Sequence, residues 1–95
     1  MMKLEMDRNS HMVMVTGLEK GSSVTMSFGK DKALVQDANK DGNVSIDCSK
    51  MISKHLREEV IITVKQKDQP DMEHIYEIRM TKLIPKRIVE IRKEK

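Results

Sequence analysis

The chain has almost no aromatic residues: Phe28 and Tyr76 are the only two in 95, and tryptophan is absent. That weighs against single-strand nucleic-acid binding, because each bound base needs a flat π-face to stack on. A single cysteine, Cys48, excludes an internal disulfide and suits a reducing compartment, so the cytoplasm is the expected location. No apolar run approaches the roughly 18 residues of a membrane-spanning helix, and the N-terminus lacks the unbroken apolar stretch of a secretory signal. Neither a membrane partner nor a cofactor is expected. No Gly/Ser linker, internal repeat or low-complexity tract divides the chain. One small domain over residues 1–95 is therefore expected, near the lower size limit for a core that holds without staples.

Catalytic signatures are missing as well. The chain has no GxGxxG or Walker loop and no nucleophile elbow. Cys48, His11, His55 and His74 are the residues that could form a thiol–imidazole pair or a metal cluster, but none stand at a tight ligand spacing such as Cys-x-x-Cys or His-x₃-His. Glu58 and Glu59 are adjacent carboxylates, and sequence neighbours point to different faces, so they do not flank a substrate as an acid/base pair must. A non-enzymatic role is expected.

What the chain does have is charge and methionine. Charged residues make up 35% and apolar residues 38%, with nine Met, so the core is expected to be aliphatic and thioether. Methionine adapts to irregular gaps and also suits a forgiving contact surface. The net charge of +3 is unevenly spread, since twelve of the 18 Lys and Arg lie from Cys48 onward. The excess gathers in Lys82, Lys86, Arg87, Arg92, Lys93 and Lys95, a basic C-terminal strand or tail over residues 82–95. Such a segment attracts phosphates or acidic surfaces, or simply keeps the protein solvated.

Period-two alternation runs through most of the chain and predicts half-buried antiparallel strands. Met2, Leu4 and Met6 oppose Lys3, Glu5 and Asp7; Val24, Met26 and Phe28 oppose Ser23, Thr25 and Ser27. His11-Met12 matches a cloning junction, which would set the first eleven residues apart, but their strand-like pattern argues for keeping them in the fold. Residues 11–15 are apolar on both faces and predict a central strand, followed by a turn at Glu19-Lys20-Gly21-Ser22. One amphipathic helix is expected near residues 49–57, capped by Asp47 or Ser49, with Met51, Ile52, His55 and Leu56 on one face. The β-branched run 59–65 is the strongest strand signal, and residues 73–84 are its expected partner. Pro85 should interrupt that partner, after which 87–92 resumes as an edge strand or pairs on another subunit. The expected class is α+β, mainly antiparallel β: a small sheet or open barrel with one short helix.

One stretch carries a chemical identity. Residues 37–48 begin like a calcium loop, with Asp37, Asn39 and Asp41 at positions 1, 3 and 5 and Gly42 at 6, but position 12 is Cys48 instead of the bidentate glutamate. The preferred reading is a turn at Asn39-Lys40-Asp41-Gly42 with residues 32–36 and 43–47 as paired flanking strands. No metal site is expected, and Asp37, Asn39 and Asp41 are weak candidates.

For function, the leading expectation is a non-enzymatic protein–protein interaction module that associates with a copy of itself through an edge strand containing Arg87, Ile88, Val89, Ile91 and Arg92. A terminal strand leaves hydrogen-bonding groups that another chain can complete. The alternative is sequence-independent contact with a nucleic-acid duplex backbone through Lys82, Lys86, Arg87, Arg92 and Lys93. A weak calcium-loop protein ranks third.

Overall fold

The computed structural model describes residues 2–7 and 9–91, which form an α+β fold, mainly antiparallel β, with one short helix. The described residues form eight strands: β1 (Lys3–Asp7), β2 (Met12–Thr16), β3 (Ser23–Phe28), β4 (Leu34–Asp37), β5 (Val44–Asp47), β6 (Glu59–Lys65), β7 (Asp71–Arg79) and β8 (Lys82–Ile91), with helix α1 (Ser49–Lys54) between β5 and β6. They form a three-stranded sheet in the order β1-β2-β5 and a five-stranded sheet in the order β4-β3-β6-β7-β8. No helix among the described residues is long and apolar enough to cross a membrane.

The alternation seen in the sequence becomes the core. Val13 and Val15 of β2, Val24, Met26 and Phe28 of β3, Val44 and Ile46 of β5, and Val60, Ile62 and Val64 of β6 are all buried. Cross-strand pairing stacks them: Val24 lies opposite Val64, Met26 opposite Ile62, and Phe28 opposite Val60. Each such side chain withdrawn from water contributes about 1.5–3 kcal/mol. β2 is indeed central in its sheet, between β1 and β5. Leu4 and Met6 pack against the core from β1, which pairs with β2 along its whole length, so the N-terminal segment belongs to the fold.

Four local expectations are corrected. The turn at residues 39–42 forms, closed by Gly42 N–H donating to Asn39 O (2.9 Å), but its flanks do not pair with each other. β4 pairs with β3, and β5 pairs with β2, because Val44 and Ile46 are buried directly opposite Val15 and Val13 while Val35 stays exposed. The helix stops at Lys54, earlier than residue 57, and Leu56 is exposed. His55 leaves the helical backbone region, Arg57 takes φ +70°, and the Arg57 amide donates to Ile78 O across to β7.

The third correction concerns residues 73–84, which are not one strand. The chain reverses at Met80 and Thr81, with φ +48° and +63°, the double positive φ of a two-residue hairpin turn. Neither residue is a turn former, so nothing in the sequence marks the reversal. Fourth, Pro85 does not break the last strand. β8 is continuous from Lys82 to Ile91, and the register steps from Tyr76–Pro85 to Ile75–Arg87, leaving Lys86 as a β-bulge. A proline is tolerated there because β8 lies at the sheet edge.

Candidate functional site

The edge strand β8 is where the fold and the candidate residues meet. Its hydrogen-bonding pattern follows from the turn that starts it. Arg79 and Lys82 flank a two-residue loop, and such a closing pair exchanges both backbone bonds; pairs then alternate along the ladder. By that alternation Lys82 and Ile84 face β7, while Leu83 and Pro85 face outward. After the bulge, Arg87, Val89 and Ile91 face β7, and Ile88 and Glu90 present their amides to the free side. The missing donor of Pro85 thus falls where no ladder bond is lost.

The side chains of β8 divide between two faces. Ile84, Ile88, Val89 and Ile91 are exposed apolar residues, Ile88 most of all at 61%. Ile75, their neighbour on β7, is only 5% exposed. It sits directly opposite Arg87, whose guanidinium reaches Glu59 on β6 at 3.5 Å. Lys86 reaches Glu77 at 3.3 Å, and Arg79 meets the same carboxylate at 2.7 Å. Those two cations hold the Glu77 carboxyl below its usual range, Arg79 more than Lys86. The strand's described positive charge is therefore turned largely onto its own sheet. Lys82 is exposed, and Arg92 and Lys93 lie outside the described residues.

Two recesses border this edge. One, of about 400 Å³, lies at the bulge and is lined by His74, Ile75, Tyr76, Pro85, Lys86, Arg87 and Ile88. Within it, burial pushes the His74 imidazole below its ordinary pKa, and its Nε2 has no hydrogen-bond partner among the described residues. The second, of about 430 Å³, brings Leu4 and Met6 of β1 to Tyr76, Lys82, Leu83, Ile84 and Pro85. It separates the free edges of the two sheets.

The calcium-like loop is built as a turn. Asn39 Oδ1 accepts the Asp41 and Asn43 amides at 2.9 and 3.0 Å, so the central oxygen of the weak ligand set is already engaged. Gly42 O accepts the Leu18 amide at 3.0 Å, which fastens the loop to the β2–β3 connection. Among the described residues there is no group of three or more His, Cys, Asp or Glu side chains arranged to hold a metal ion. Cys48 is fully buried; its thiol donates to His11 O at 3.1 Å, and burial pushes its pKa up to about 11. A thiol so held is not a nucleophile near neutral pH.

Sequence reasoning missed one polar cluster. Both ring nitrogens of His55 meet carboxylates, Nδ1 with Glu58 Oε2 and Nε2 with Asp31 Oδ2, each at 2.8 Å. The ring also stacks on Phe28 at 5.8 Å. Glu58 stands three residues away and carried a faint signal, but Asp31 is 24 residues distant and carried none.

No protein-family model matches the chain, and no match was found among curated proteins or solved structures.

Proposed function

We propose that this protein is a non-enzymatic interaction module that pairs with a second copy of itself through β8. The observation that carries the reading is a ten-residue strand at a sheet edge, with exposed Ile84, Ile88, Val89 and Ile91 along it. An uncovered edge offers a second strand its backbone donors and acceptors, and exposed apolar side chains gain by being covered. Pro85 and the bulge at Lys86 limit pairing near the start of β8, which directs it to the Arg87–Ile91 half. In that half the outward amides belong to Ile88 and Glu90. Duplex contact is the weaker reading, because Lys86 and Arg87 already lie against Glu77 and Glu59.

Light scattering coupled to size exclusion tests the proposal. The wild type should be dimeric at high micromolar concentration, and Ile88→Pro should be monomeric with its fold retained, since proline there removes an outward donor. Val89→Pro is the contrasting variant: its amide faces β7, so it should disrupt the β7–β8 ladder and lower thermal stability. A monomeric wild type overturns the proposal. A dimer that survives Ile88→Pro moves the interface to the β1 edge. Recovery of nucleic acid with the protein, lost on nuclease treatment and at high salt, would favour the duplex reading.

A further inference from the structure

His55 stands at the junction of three segments. It follows α1; Asp31 belongs to the β3–β4 connection; Glu58 precedes β6. His55 is 7% exposed, and its ring rests on Phe28, the last residue of β3. Gly29 leaves the space the cluster fills, because a Cβ there would come within 2.9 Å of Glu58 Oε1 and 3.4 Å of the His55 ring. Lys54 supplies a second cation to Asp31 at 2.9 Å.

The chemistry of this arrangement is restrictive. An ionised carboxylate only accepts hydrogen bonds, and a neutral imidazole has one N–H to donate. With a carboxylate oxygen 2.8 Å from each ring nitrogen, both contacts are satisfied only by the doubly protonated ring. After loss of one proton, a nitrogen lone pair faces a carboxylate at the same distance, and one of the two contacts must open.

The geometry points to His55 as a protonation-controlled latch: the imidazolium ties the β3–β4 connection to the segment entering β6, and deprotonation lets one side go. The side that moves is the Asp31 side. β4 is a four-residue edge strand held to β3 alone in its sheet and largely exposed, whereas the Glu58 segment is held by Ile78 N–H donating to Glu58 O at 3.0 Å. The device acts on the edge opposite β8 and is independent of any pairing there. The charged groups around the ring are Asp31 from the β3–β4 connection, Lys54 from α1 and Glu58 before β6; Phe28 from β3 is uncharged. Asp31 first and Glu58 second hold the imidazole above its ordinary pKa of 6.5, against the opposing effect of burial. The stabilisation from His55 is thus complete below that ordinary value and is lost as pH rises through the higher folded value. Asp31 behaves oppositely: Lys54 and His55 hold its carboxyl down, so its contribution is lost only as strong acid protonates it.

Proton NMR of the full chain, following the His55 ring alongside amide-exchange protection of residues 29–37, tests the latch. Protection factors already correct for the intrinsic base catalysis of exchange. His55 should titrate with a midpoint above 6.5, and protection of residues 29–37 should fall several-fold across that midpoint while β6 stays protected. Asp31→Asn and Glu58→Gln should each lower the midpoint, and His55→Gln should remove the step in protection. A midpoint at or below 6.5, or protection that does not change across it, would overturn the latch. If His55→Gln does not fold, the two carboxamide variants still decide the question through the ring titration.

Discussion

Replacing Gly42 with alanine tests how the turn is held, and Gly21 is its internal control. Both glycines have a left-handed backbone, φ +77° and +84°, so an L-residue at either carries a conformational penalty of about 1 kcal/mol. Their surroundings differ. A Cβ on Gly21 meets nothing within 4 Å, whereas a Cβ on Gly42 would lie 2.4 Å from Leu18 O and 3.2 Å from Leu18 N. Those are backbone atoms and cannot rotate away. The loop must move outward, which stretches the bond from Leu18 N–H to Gly42 O. Losing that bond costs about 1 kcal/mol, and relieving the overlap about 1–3 kcal/mol more. Gly21→Ala should therefore lose about 1 kcal/mol and Gly42→Ala about 3–5 kcal/mol. For a domain of this size, 1 kcal/mol lowers the melting temperature by roughly 4–8 °C, so thermal scans separate the variants. Urea unfolding with unchanged m-values gives the free energies directly. Equal losses for the two alanines would refute the close approach of the 39–42 turn to Leu18.

Two further outcomes follow from particular residues. Met80→Asn with Thr81→Gly should stabilise the protein by about 1–2 kcal/mol in urea unfolding, because both positions have positive φ and Asn-Gly favours this turn; no gain would mean the reversal is not strained. Millimolar Ca²⁺ should leave the melting temperature unchanged, since Asn39 Oδ1 already accepts two amides; a rise of several degrees, abolished by Asp37→Ala, would restore the calcium loop.

Much of the strand content was legible because a sheet with one buried face imposes a period of two on its sequence. Val24, Met26 and Phe28, or Val60, Ile62 and Val64, announce which face is inward before any partner is known. The edge position of the last strand was legible from Pro85, since a central ladder does not spare the amide. Among the candidate residues, Ile88, Val89 and Ile91 lie on that edge as read, while the pairing of Lys86 and Arg87 with Glu77 and Glu59 could not be read, because cross-strand neighbours depend on register.

Local chemistry in the sequence was enough to determine inward and outward faces, the existence of one short helix and the turn at Asn39–Gly42. It did not determine which strands meet. The 39–42 turn alone is compatible with a simple hairpin; burial of Val44 and Ile46 against β2 sends the two flanks into different sheets. Met80 and Thr81 reverse the chain without turn-forming residues because the ladder between β7 and β8 on either side holds them there. His55 acquires Asp31 only when the β3–β4 connection folds back on the end of α1. Each of these outcomes is set by contacts between residues distant in the chain, whose free energy exceeds the local preferences it overrides.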